Sequence, residues 1–102
     1  MRRAVYVIAA FAAMLLVTVS AQAENKGEQL FNQKCAMCHV VKGKGGAIGP
    51  ELTRIASRMK EVDLKGQLEN PKKKNAASSM PSFKTLSKPD MDALLGYLRT
   101  LK

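Results

Sequence analysis

The chain has no tryptophan, one histidine and two cysteines in 102 residues, and these scarcities narrow its chemistry before any motif is considered. Zinc in a structural site needs four ligands, and Cys35, Cys38 and His39 have no second Cys or His cluster to complete such a set. A disulfide between cysteines this close would shut a trivial loop and remove little unfolded-state entropy. Aromatic platforms for nucleic acid are also few: only Phe31, Phe83 and Tyr97 lie beyond residue 23. No alternating strand pattern, internal repeat or low-complexity tract occurs, so the strand and helix scaffold of a thioredoxin-like thiol pair is missing.

What is present begins with a segment unlike the rest. Arg2 and Arg3 precede an uncharged run from Ala4 to Val19, closed by Ser20-Ala21-Gln22-Ala23. This order of basic, apolar and small residues predicts a secretory signal peptide over residues 1–23, cleaved at the Ala-X-Ala site. The apolar run falls short of the roughly 20 residues that span a bilayer, which argues against a retained anchor. With no cysteine at the cleavage point, a lipoprotein anchor is also disfavoured. Two arginines alone are a weak signal for twin-arginine export, and ordinary unfolded export fits better. The expected product is a soluble periplasmic domain spanning residues 24–102.

That domain has 79 residues, one folding unit too small to rely on a hydrophobic core alone. With a structural disulfide ruled unhelpful, a cofactor is the expected staple. Removing Arg2 and Arg3 leaves 15 basic against 8 acidic residues, a net +7. Export disfavours nucleic acid as the reason for this charge; acidic proteins or an anionic membrane surface remain as partners.

Asn25, with Glu28 three positions on, predicts a helix cap, and Leu30, Phe31, Lys34 and Cys35 follow at helical spacing. Four glycines and Pro50 make residues 40–50 a loop. Leu52, Ile55, Ala56 and Met59 predict a short amphipathic helix over 51–59. Val62, Leu64 and Leu68 predict another, stopped at Asn70-Pro71 because a residue before proline disfavours helical angles. Residues 71–86 read as a second long loop. Ser87, Pro89 and Asp90 then open the clearest helix, with Met91, Leu94, Leu95, Leu98 and Leu101 in one stripe. Gly96 interrupts it, and a close helix crossing is the expected compensation, with Gly27 as the matching flat surface and Phe31 and Tyr97 beside it.

The strongest chemical signal is Cys35-Ala36-Met37-Cys38-His39. Two thiols at this spacing can add to the two vinyl groups on one edge of a haem, and the adjacent imidazole then reaches the iron. The cofactor expected is therefore one covalent haem c, which also supplies the missing core. A sixth iron ligand is sought among four methionines. Met37 lies between the tethers, while Met59 and Met91 fit the apolar faces of their helices. Met80 sits in an irregular loop before Pro81, with enough chain to cross the cofactor, and is the favoured ligand.

These residues resemble the class I cytochrome c family, particularly its small bacterial periplasmic members. The resemblance runs through Cys35-Ala36-Met37-Cys38-His39, Gly49-Pro50-Glu51-Leu52, Asn70-Pro71, Met80-Pro81-Ser82-Phe83 and Ala93-Leu94-Leu95-Gly96-Tyr97-Leu98, covering essentially the whole mature chain. It implies an all-α cytochrome c fold of three to four short helices around one haem, the terminal helices crossing through Gly27, Phe31, Leu94 and Tyr97. It also implies that the Pro50 carbonyl accepts a hydrogen bond from the His39 ring. Many relatives hold a haem propionate with a tryptophan that this chain lacks; Arg54, Arg58 or Lys72 are the substitutes on offer.

The function expected is that of a monomeric single-electron carrier, not an enzyme. Acidic redox partners would dock near a haem edge ringed by Lys34, Lys42, Lys44, Lys72, Lys73, Lys74 and Lys84. The competing reading is a haem sensor or peroxidase-like enzyme with an open or labile sixth position; a non-haem disulfide oxidoreductase is a third.

Overall fold

The computed structural model describes residues 25–102, so the expected signal peptide lies outside the described residues. Helix α1 occupies residues 25–34 and delivers the chain into a turn over 35–38. Asn25 is already within the helix, so it is not the cap expected from the sequence. The Cys35 carbonyl accepts the amides of both Cys38 (3.1 Å) and His39 (3.0 Å), and the helix thereby closes into a tight turn instead of continuing. Irregular chain follows, as the glycines predict. Val41 and Lys44 pair across Lys42 and Gly43, both at positive φ (50° and 79°), the geometry that a two-residue turn requires.

The helix expected over 51–59 is reduced to one 3-10 turn, Ile55–Ser57. Its amides are spent elsewhere. Leu52 donates to the Val40 carbonyl at 2.9 Å, and Ala56 donates to the Leu101 carbonyl at 2.7 Å where an α-helix would need Leu52. Helix α2, Glu61–Glu69, buries Leu64 and Leu68 one turn apart and ends at Asn70, whose angles (φ −142°, ψ 76°) lie outside the helical region that a following proline disfavours. Helix α3, Lys88–Arg99, begins as predicted. The Ser87 hydroxyl accepts the Asp90 amide at 3.3 Å, and Pro89 lies in the first turn, where its missing N–H costs nothing.

Met91, Leu94, Leu95, Leu98 and Leu101 are all buried, Leu94 completely, and they meet Leu30 and Phe31 of α1, Ile55, and Leu64 and Leu68 of α2 in one cluster. Each such side chain contributes about 1.5–3 kcal/mol by leaving water. Arg99 and Glu61, 2.9 Å apart, tie the end of α3 to the start of α2.

The crossing of α1 over α3 exists, but only one of the two expected glycines makes it. A Cβ on Gly27 would collide with the Ala93 carbonyl and stand 2.8 Å from Tyr97 Cβ. Gly96 has no described atom within 4 Å of its Cβ position. The face of α3 against α1 is Ala93 and Tyr97, one turn apart, with the Phe31 and Tyr97 rings tilted at 5.4 Å beside them. Gly96 is thus rotated off the contact.

Candidate cofactor site

The turn after α1, the glycine loop, the α2 face and the second loop enclose a cavity of about 610 Å³. Cys35, Cys38, His39 and Met80 all line it, so residues 45 positions apart in sequence are brought to one space. Leu52, Ile55, Leu64, Leu68, Phe83 and Leu98 supply apolar wall. Met59 faces the cavity as well and packs against the core, so it combines the expected packing role with a place at the site.

His39 Nδ1 lies 2.7 Å from the Pro50 carbonyl. A carbonyl only accepts, so Nδ1 carries the proton and Nε2 is left with its lone pair. Gly49 makes this possible. A Cβ there would stand 2.5 Å from His39 Cε1, so the loop approaches the ring face only because that position has no side chain. Two further hydrogen bonds lock the loop: Gly46 N–H to the Ala36 carbonyl at 2.8 Å and Gly49 N–H to the Cys38 carbonyl at 2.6 Å.

Both thiols are free. Burial pushes the Cys35 thiol up to about 11, with a smaller lowering by Lys34 opposing it and Cys38 adding slightly to the rise. At neutral pH Cys35 is therefore a protonated, poorly nucleophilic thiol, unlike the activated cysteine of a disulfide oxidoreductase. Among the described residues no three His, Cys, Asp or Glu side chains converge in a metal-binding group.

No carboxylate lines the cavity, whereas Lys34 and Arg58 do. Of the three cations proposed for a propionate, Arg58 alone is on the wall; its Nη2 donates to the Glu51 carbonyl at 3.0 Å, which steadies it. Of the lysines expected at the haem edge, only Lys34 lines this cavity; Lys42 and Lys44 border a second concavity beside Tyr97 and Thr100. Gln67 and Asn75 also face the cavity. Their sequence context, a polar position on a helix and an asparagine in a loop, gave no signal for this.

A donor set of two thiols, one imidazole with a free nitrogen and a thioether, set in an apolar slot with cations and no acids, fits a haem with its propionates and vinyl groups. Comparison with known proteins agrees. The family described as Cytochrome c matches residues 24–102. Cytochrome c6 of Cyanidium caldarium is 36% identical over 84 residues, covering 80% of this chain and 73% of that protein. Cytochrome c oxidase subunit 2 of Alkalihalophilus pseudofirmus is 33% identical over 87 residues, covering 76% of this chain, which spans only 25% of that subunit. The crystal structure of the c-type cytochrome SorU from Sinorhizobium meliloti shares the fold, with a TM-score of 0.58 at 20% identity over 79% of this chain and 92% of that one.

The site and fold together define a class I c-type cytochrome, all-α, built to hold haem c covalently. The chain belongs to the cytochrome c family. That family supplies haem-based electron carriers, and Cys35 and Cys38 stand at its haem-attachment spacing.

Proposed function

We propose that the chain is an exported single-electron shuttle, tethered to its haem through Cys35 and Cys38 and holding the iron through His39 Nε2 and the Met80 thioether. The observation that carries this reading is the bond from His39 Nδ1 to Pro50, which leaves Nε2 free in the same cavity that Met80 lines. When bound, the haem supplies a one-electron ferrous–ferric couple. The protein does the rest by holding still. Pro50 fixes the imidazole and raises its basicity. A methionine ligand and an apolar wall both favour the reduced state, and so raise the potential. Arg58, on the cavity wall, supports the reading as the partner of a propionate. No substrate is transformed, and no residue here acts as an acid or base.

Cleavage after Ala23 would release residues 24–102 to the periplasm as a monomer. Among the described residues no helix is long and apolar enough to cross a membrane. The exposed Lys72, Lys73, Lys74 and Lys84, with Lys34 on the cavity wall, fit acidic redox proteins as partners in brief, salt-sensitive contact.

The test is an optical spectrum of the purified protein, oxidised and reduced, with a denatured pyridine adduct to report thioether attachment. The expected result is a low-spin spectrum in both states, with the weak near-infrared band of ferric iron bound to thioether sulfur. A reduced wild type that binds carbon monoxide readily, and lacks that band, would favour the sensor or peroxidase-like reading instead. Colourless protein with two titratable thiols would favour the disulfide oxidoreductase.

A further inference from the structure

The loop that carries Met80 leaves α2 after Glu69 and returns to the end of the same helix at Ser82 and Phe83. A helix ends in carbonyls that no amide within it can reach. At α2, two of those carbonyls are taken by the returning loop. Ser82 Oγ donates to the Glu69 carbonyl at 2.5 Å, and the Phe83 amide donates to the Leu68 carbonyl at 2.8 Å. The Ser82 hydroxyl also accepts the Lys84 amide at 3.4 Å, so one side chain joins helix and loop.

Upstream the ties are local. Asn75 Oδ1 accepts the Ala77 amide at 3.1 Å, the Asn75 carbonyl accepts the Ser78 amide at 3.0 Å, and Ser78 Oγ accepts the Met80 amide at 3.2 Å. These bonds shape the loop without attaching it to the helical body. Met80 and Phe83 pack against the core, and the hydrogen bonds that attach the loop beside Met80 come from Ser82 and Phe83, with only Pro81 between. Because the proline ring fixes its own φ, movement of Ser82 passes to Met80 with little slack.

We propose that Ser82 is a positioning residue whose hydroxyl clamps the Met80 loop to the C-terminal end of α2 and so sets how often Met80 leaves the cavity. This rests on the reading of Met80 as an iron ligand. Ser82 is exposed and packs in no core cluster, so its removal spares the fold while loosening the loop. Loss of one hydroxyl–carbonyl bond of ordinary net strength would raise the open population about 3- to 10-fold.

The experiment titrates the haem-loaded ferric protein with imidazole, which occupies the sixth position only while Met80 is away, and follows loss of the near-infrared thioether band. Apparent affinity scales with the open fraction. Ser82→Ala should bind imidazole about 3- to 10-fold more tightly than wild type, and Ser82→Thr, which keeps the hydroxyl, should stay near wild type. Thr100→Val removes a comparable bond, from Thr100 Oγ1 to the Tyr97 carbonyl at 2.6 Å, away from the loop, and should leave the affinity unchanged.

The clamp is overturned if Ser82→Ala matches wild type, if Ser82→Thr shifts as far as Ser82→Ala, or if Thr100→Val shifts equally. Failure of the underlying ligand reading looks different. In that case wild type lacks the thioether band, and Met80→Ala binds imidazole no more tightly than wild type.

Discussion

His39 donates through Nδ1 to the carbonyl of Pro50, 2.7 Å away, and the residue between the loop and the ring is a glycine because nothing larger fits. Gly49→Ala would place a methyl 2.5 Å from Cε1 and 2.9 Å from Nδ1 of that ring. The loop is pinned by the Gly49 amide on Cys38, so the imidazole must yield. Loss of a hydrogen bond that orients a metal-binding imidazole weakens its hold about 10- to 100-fold. The expected outcome is a reduced yield of haem-loaded protein and a mixed-spin optical spectrum. Full yield with wild-type spectra and wild-type imidazole resonances by NMR would sink the argument.

Gly27 and Gly96, the two glycines expected at the helix crossing, should respond to alanine in opposite directions. Gly27→Ala drives a Cβ into the Ala93 carbonyl and against Tyr97, forcing α1 off α3, and should destabilise the protein by about 1–3 kcal/mol. Gly96→Ala meets no described atom and removes the flexibility of a glycine inside a helix, for a gain of about 0.5–1 kcal/mol. Urea unfolding of the haem-loaded protein measures both. Destabilisation by both substitutions in equal measure would restore Gly96 to the crossing.

That contrast shows where the sequence was legible. The start of α3 rests on Ser87, Pro89 and Asp90, neighbours whose roles need no tertiary information, and its stripe of five apolar residues leaves a single way to bury it. Asn70-Pro71 ends α2 for an equally local reason. Residues 51–59 misled because periodicity reports which side chains are apolar and not where the backbone amides go; Val40 and Leu101, distant in sequence, claim two of them. For Gly96, the presence of a helix glycine was plain, but the face it presents depends on a crossing angle fixed by Ala93 and Tyr97. At the site, the attachment spacing of Cys35 and Cys38 was readable because it lies within five consecutive residues, Cys35 to His39. That Arg58, and not Arg54 or Lys72, lines the cavity was not legible before the chain was folded.

Of the two methionines at the cavity, the loop residue should carry ligation. Met80→Ala is expected to abolish the near-infrared thioether band and let the reduced protein bind carbon monoxide rapidly. Met59→Leu conserves volume on the cavity wall, so the band should persist with a stability loss below about 1.5 kcal/mol. Loss of the band in Met59→Leu with its retention in Met80→Ala would reverse the assignment.

The cavity itself predicts how the chain behaves without its cofactor. Without the haem, the apolar side chains of Leu52, Ile55, Leu64, Leu68, Phe83 and Leu98 lose the surface they would pack against and face water. Whole domains are stable by only about 5–15 kcal/mol, and among the described residues this one has neither a disulfide nor a second core to compensate. A Cys35→Ser/Cys38→Ser chain, unable to tether haem, should therefore retain helical signal but show poorly dispersed NMR resonances and no cooperative urea transition. Dispersed resonances and a sharp transition in that haem-free chain would mean that α1, α2 and α3 sustain one another around an open slot, and the haem would be cargo to this fold instead of its interior.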